Sequence, residues 1–306
     1  MTKTHVNDID IYYEEHGDPN TEPLLLIMGF TSNTARWTPQ IPALAERYRV
    51  IAFDNRGTGR TTQPDGPYTI PQMADDAAGL LDALGIGPSH IVGASMGGMI
   101  AQEFALRHPQ RVRTLTLLCT TPGGPKSFGY AEMIEHSAAL EDMKDLSQML
   151  TPELIQASID VHFTPEFMKA PSAEFQAMIM SGIMHPSTLA GVKGQMAAIL
   201  KHDTYARLPR ITAPTLVTAG SDDTFVDARN SPLLAERIPN AELHMFEGLR
   251  HGFAVERPDL VNPMLLEFLS KAHADQRAAH REGVVASLLR RFRRHSDHAR
   301  SGEASA

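Results

Sequence analysis

His90-Ile91-Val92-Gly93-Ala94-Ser95-Met96-Gly97-Gly98-Met99 is the stretch on which the fold turns. Apolar residues lead into a serine set among small neighbours, and Met99-Ile100-Ala101-Gln102-Glu103-Phe104-Ala105-Leu106 leaves with the spacing of a helix packed on a sheet. The reading is strand, tight turn, helix. A side chain held at such a corner sits on strained backbone and needs tiny neighbours, which Gly93, Gly97 and Gly98 supply. The turn exposes the Ser95 hydroxyl and sets the Met96 backbone N–H at a helix start, where developing negative charge is favoured. This G-x-S-x-G spacing is that of a nucleophile elbow, but a plain Gly-rich turn has the same letters. The rest of the chain must decide.

Toward the N-terminus, Ile9 to Glu14 alternates as a strand, and Gly17-Asp18-Pro19-Asn20 reads as a turn. Pro23 to Met28 and Arg49 to Phe53 are unbroken apolar runs, as expected of strands buried on both faces, with a helical segment between them around Trp37 to Tyr48. The first run ends at Gly29-Phe30-Thr31 and the second at Asp54-Asn55-Arg56-Gly57-Thr58-Gly59-Arg60. Ile70 to Leu84 is amphipathic, and Asp75 and Asp76 read as structural carboxylates at its start, suited to the helix dipole. Val112 to Leu118 is a further strand. Strands alternating with helices imply a parallel sheet covered on both faces, with ligands bound at the carboxyl ends of its strands.

From Pro122 to Arg207 the rhythm changes to helical pattern without a convincing strand: Tyr130 to Ala139, Asp145 to Leu150, Pro152 to Val161, Ser172 to Met184 and Leu189 to Leu200. This insertion holds eight of the fifteen methionines. They suit either an adaptable apolar pocket or the core of a small helical layer. Alternation resumes with Ala213 to Ala219, running into Gly220-Ser221-Asp222-Asp223. A helix near Ala228 to Arg237 and a strand Ala241 to Phe246 follow. Glu247-Gly248-Leu249-Arg250-His251 lies at the end of that strand, and Pro258 to Ala272 reads as a last helix.

Serine, carboxylate and histidine thus reach one rim of the sheet in the chain order Ser, Asp, His. A serine hydroxyl needs a base to take its proton, and a histidine needs a third group to fix its tautomer. Ser95, His251 and one Asp of the 222/223 pair fill these roles. The chain has 14 histidines, and most of the others, such as His16, His108, His136 and His185, read as surface or loop residues.

With those residues the chain resembles the α/β-hydrolase fold superfamily along nearly all of residues 5 to 270, on the serine esterase and enol-lactone hydrolase side. The resemblance implies a mostly parallel sheet flanked by helices, with an inserted helical lid. The implied domains are residues 1–121 with 208–272 for the core, 122–207 for the lid, and 273–306 as a basic tail. In the family the acid sits three residues after a glycine, which assigns it to Asp223, with Asp222 as the second choice. The resemblance also assigns the oxyanion hole to the backbone N–H groups of Phe30 and Met96. Two departures stand out: Met28 where most relatives have histidine, and Thr61 where the loop after Asp54 usually ends in serine.

Ser95 argues against epoxide opening and dehalogenation, in which an aspartate forms an ester that water can cleave and a serine would be left as a stable ether. The expected reaction is hydrolysis of a carboxylic ester or lactone, with a medium-sized, mostly apolar substrate. A carbon–carbon bond hydrolase, a thioesterase and a cofactor-free haloperoxidase use the same triad. No metal and no organic cofactor is expected: there is no H-E-x-x-H, and His295 and His298 fall in the polar tail. Cys119, the single cysteine, excludes an internal disulfide and reads as a small apolar residue at a strand end.

At 306 residues, 42% hydrophobic and 21% charged, the chain has the composition of a globular protein with a large core. A net charge of −8 excludes a phosphate-backbone gripper, so no nucleic acid is expected. With neither an apolar leader nor an apolar run of membrane-spanning length, a cytoplasmic location is the expectation. The basic tail is the exception to the acidic balance. Val285, Leu288, Leu289 and Phe292 fall on one helical face beside Arg290, Arg291, Arg293 and Arg294. Such a helix suits an anionic membrane or a partner, and a dispensable extension is the simpler expectation.

Overall fold

The computed structural model describes residues 2–149 and 151–271. The expected amphipathic helix of the tail lies outside these residues. Eight strands form one sheet: β1 (Lys3–Val6), β2 (Ile9–His16), β3 (Pro23–Ile27), β4 (Arg49–Phe53), β5 (Ser89–Ala94), β6 (Val112–Leu118), β7 (Thr215–Gly220) and β8 (Ala241–Phe246). Their order is β1-β2-β4-β3-β5-β6-β7-β8. The two pairings of β2 are antiparallel and every other one is parallel. The apolar runs account for this arrangement, because β3, β5 and β7 are buried along nearly their whole length, as strands covered on both faces must be.

Helices α1 (Ile41–Ala45), α2 (Ile70–Ala83) and α3 (Met96–Arg107) belong to the first half. The insertion between β6 and β7 carries α4 (Tyr130–Glu141), α5 (Pro152–His162), α6 (Pro165–Met168), α7 (Ala173–Met184) and α8 (Leu189–Leu200). Helices α9 (Asn230–Arg237) and α10 (Phe253–Glu256) follow, and residues 258–271 are helical. Residues 1–264 form one compact unit, with sheet and insertion together. No helix among the described residues is long and apolar enough to cross a membrane.

Several elements depart from the sequence reading. The segment expected as one helix from Trp37 to Tyr48 is a 3-10 turn, Thr34–Trp37, followed by α1, because Pro39 cannot continue a helix and Pro42 suits a helix start. Helix α2 begins at Ile70, so Asp75 and Asp76 lie beyond its first turn and the dipole reading is corrected. Instead, buried Asp76 pairs with Arg56 (2.8 Å) and Asp75 with Arg107 and His108. Where a helix is expected from Asp145 to Leu150, the described residues form only a 3-10 turn, Leu146–Met149.

Some of the insertion's methionines fill the core, as one of the two expectations has it, and others do not. Met178 is buried with Phe163 and Phe175, and Met133 and Met196 pack on the main core, whereas Met180 and Met184 face solvent. One side chain of α8 ties the insertion to the loops after β3 and β4. Gln195 of α8 accepts from Thr31 N–H (2.8 Å) and donates to the Arg56 carbonyl (2.7 Å). The carboxyl end of α5 is held by the loop after β8, at the site itself.

Candidate active site

The pairing Ala94↔Leu118, Leu118↔Thr218 and Gly220↔Phe246 aligns the carboxyl ends of β5 to β8, so the loops leaving them share a rim. Ser95 leaves β5 with φ 57 and ψ −123 and caps α3. That left-handed backbone costs a residue with a side chain on the order of 1 kcal/mol, and close packing holds it in place. A Cβ on Gly97 would stand 2.1 Å from the Ile27 carbonyl oxygen, so only glycine lets α3 start this close to β3. The Ser95 N–H donates to the Leu118 carbonyl (2.9 Å), and Thr120 Oγ1 donates to the Ser95 carbonyl (2.7 Å).

Beyond the ends of β7 and β8 the acid and the histidine meet. Asp223 and His251 are both buried, with Oδ2 and Nδ1 2.7 Å apart. The other carboxylate oxygen, Oδ1, accepts from Phe225 N–H and Val226 N–H, both at 3.0 Å, so the carboxylate is fixed at both oxygens. Asp222 is exposed and accepts from the Ser221 hydroxyl (2.9 Å), which leaves Asp223 as the partner of His251. Burial works against a proton on His251, but the Cys119 sulfur and the Asp223 carboxylate beside it outweigh burial and raise its pKa well above the ordinary histidine value. The hydrogen bonds of the described residues join His251 to Asp223, and none joins His251 to Ser95 Oγ. Ser95 and the His–Asp pair therefore share the rim without a formed relay.

Met96 follows Ser95 directly, and Phe30 follows Gly29, which packs against the serine. Gly29 makes this approach possible, since a Cβ there would lie 2.9 Å from the Ser95 Cβ. At the two departures from the family pattern, other bonds take over. The Met28 carbonyl accepts from Asn55 Nδ2 (2.6 Å). Thr61 Oγ1 donates to the Asp54 carbonyl (2.6 Å) and accepts from Tyr12 N–H (2.9 Å), which a serine hydroxyl would do equally.

Three groups at the site are invisible to motif reading. Phe225, 51% exposed, stands edge-on to His251 with ring centroids 4.9 Å apart. His162, at the end of α5, is T-shaped to His251 at 5.2 Å, and its Nδ1 donates to the Ser158 carbonyl (2.7 Å). Burial first, then His251 and the Arg36 guanidinium, push the His162 pKa down to about 3, so this ring stays neutral. Cys119 is the third: buried just past the end of β6, as its strand-end reading has it, it also borders the Asp–His pair. Its sulfur, an Asp223 oxygen and a His251 ring nitrogen lie within 4.8 Å of one another. Its partners come from other loops, so no local spacing could reveal it.

A clamp joins α5 to the histidine loop. Gly252 N–H donates to the His162 carbonyl (2.7 Å), His251 N–H to Val161 (3.4 Å), and Arg250 to the carbonyls of Asp160 and Phe163. Glu256 accepts from Thr164 N–H (2.9 Å) and from its hydroxyl.

A serine on a left-handed elbow, with a buried Asp–His pair two strands away, is the arrangement of one family, whose sequence model, the alpha/beta hydrolase fold, matches residues 22–258. The chain belongs to the alpha/beta hydrolase fold family. It is 34% identical to the "Putative carbamate hydrolase RutD" of Azorhizobium caulinodans over 269 residues, covering 88% of this chain and 98% of that one. Among solved structures, a hydrolase from Pseudomonas aeruginosa has a TM-score of 0.77 at 30% identity, with 88% and 97% of the two chains covered. The enol-lactonase from Burkholderia xenovorans has a TM-score of 0.77 at 26% identity, with 88% and 100% covered. The protein is a hydrolase.

Proposed function

We propose that this hydrolase cleaves a carboxylic ester or lactone through an acyl-enzyme on Ser95. The observation that carries the reading is the buried 2.7 Å pairing of His251 with Asp223 on the rim where Ser95 occupies its strained corner. Asp223 holds the Nδ1 proton of His251, which leaves Nε2 to take the proton from Ser95 as it attacks the carbonyl. The Phe30 and Met96 N–H groups receive the oxyanion, and His251 passes its proton to the leaving alcohol. Water activated by the same imidazole then cleaves the acyl-enzyme. A shift of the His251 ring or of the Ser95 hydroxyl completes the relay when substrate binds, as is common for sites that tighten in the complex. Phe225, exposed beside His251, favours a mostly apolar substrate.

The relatives named for carbamate hydrolysis favour a second reading of the same chemistry, with a carbamate carbonyl as the electrophile. Rates on p-nitrophenyl acetate, butyrate and octanoate, on an enol-lactone and on an N-substituted carbamate ester separate the two. Ser95→Ala is expected to lower kcat/KM on the best of these by about 10,000-fold or more. An unchanged rate in that variant refutes the mechanism.

A further inference from the structure

Beside the His251–Asp223 pair stands a third group that ester hydrolysis does not use. Cys119 Sγ, a His251 ring nitrogen and an Asp223 oxygen lie within 4.8 Å of one another, and all three residues are buried. The thiol is held there at a cost. Cys119 has φ 42, a left-handed conformation that disfavours a residue with a side chain by about 1 kcal/mol or more. Its N–H donates to the Thr218 carbonyl (2.8 Å), and the next residue is bound to the Ser95 carbonyl, which fixes the corner between the ends of β5 and β7.

Thiolate, imidazole and carboxylate are a donor set suited to zinc, with sulfur at about 2.3 Å and nitrogen and oxygen at about 2.0–2.2 Å. Tetrahedral angles at those lengths put donor atoms about 3.3–3.6 Å apart. The cluster needs its sulfur drawn in by roughly 1 Å and the Nδ1···Oδ2 contact opened by about half that. We propose that Cys119, Asp223 and His251 form an inhibitory site for a zinc-class divalent ion, which takes the place of the proton between His251 Nδ1 and Asp223.

In the neutral, catalytically competent form of the ring Nδ1 carries that proton and Nε2 is bare. The ion binds Nδ1, a carboxylate oxygen and Sγ, with water as a fourth ligand. The Nδ1 proton moves to Nε2 and the thiol proton leaves to solvent, so one proton is released per ion. His251 then presents N–H to Ser95 where a lone pair is needed, and the serine has no base. The effect on rate rests on the proposed hydrolysis, but the binding of the ion does not.

The test uses the full-length chain without a histidine tag, stripped with a chelator. Cadmium replaces zinc as the spectroscopic probe because a cadmium–thiolate bond gives an ultraviolet charge-transfer band, and the chain has one cysteine to give it. Titration is expected to produce one band equivalent per folded chain, absent in Cys119→Ser. Zinc is expected to inhibit p-nitrophenyl acetate hydrolysis reversibly, with a chelator restoring the rate. Half-inhibition of Cys119→Ser is expected to need at least about tenfold more zinc, each protein being measured against its own zinc-free rate. A band from a protein with no esterase activity supports the site and leaves only the hydrolysis reading in question. Active native protein that gives no band with saturating cadmium overturns the site, as does equal zinc sensitivity of native and variant.

Discussion

At the scale of single residues, His251 carries the clearest expectation about pH. Its folded pKa lies above the ordinary 6.5, and only its neutral form accepts a proton from Ser95. Activity therefore falls as the medium is acidified, and the acid limb of kcat/KM against pH is expected to have its midpoint above 6.5. Asp223→Asn removes one of the groups that hold the proton on His251. It is expected to move that midpoint down and to lower kcat by about 10,000-fold, because the amide no longer fixes the tautomer. A midpoint at or below 6.5 in the native protein contradicts the environment described for this ring. Ser95, the Asp pair and His251 could be proposed from the sequence because each follows a strand, in the chain order Ser, Asp, His. The choice of Asp223 over Asp222 came from the family's spacing, and the 2.7 Å bond to His251 agrees with it. Cys119, His162 and Phe225 were not legible as neighbours of His251, because each belongs to a different loop or helix and only folding brings them together.

At the scale of elements, the clamp between α5 and the loop of His251 makes the insertion and the histidine one mechanical piece. Arg250 donates to two carbonyls at the end of α5, Asp160 and Phe163, which have no partner inside the helix. Arg250→Ala is expected to cost about 1 kcal/mol locally. Amide exchange should accelerate in residues 152–168, and kcat should fall several-fold with little change in the melting temperature. Equal exchange in native protein and variant would show that the clamp does not govern α5. Periodicity found most elements because burial imposes it: β4, β6 and α8 begin and end where the pattern does. It missed β1, whose four residues include one buried side chain, and α6, a single turn set by Thr164 and Pro165. Such short pieces are fixed by their surroundings more than by their own pattern.

At the scale of the whole molecule, the alternation of strand and helix made the architecture readable from the letters, since a parallel strand must be followed by a crossover. Buried polar groups were not readable in that way. His202 is 3% exposed with neither ring nitrogen bonded, and it lines a cavity of about 180 Å³ with Glu103 and Arg207, apart from the residues of the candidate site. Burial first, and Arg207 second, push its pKa down to about 3. On acidification the unfolded chain takes this proton from about pH 6.5 while the fold refuses it until about 3. Stability from this group is thus present above 6.5 and is lost as pH falls toward 3, by up to about 1.4 kcal/mol per pH unit. His202→Phe is expected to flatten the decline of melting temperature between those limits. A variant whose decline parallels the native one would assign acid sensitivity to other groups.

Thr31, Ser95 and Cys119 share one property, a left-handed backbone on a residue with a side chain, and they sit at three neighbouring strand ends. Any selection for heat resistance alone will find relief at these corners first, by putting glycine where the chain is bent against its preference. Ser95→Gly should accordingly melt above Ser95→Ala, and it would be equally inert. A thermostabilised descendant of this protein is worth making only if those three corners are frozen before the library is built.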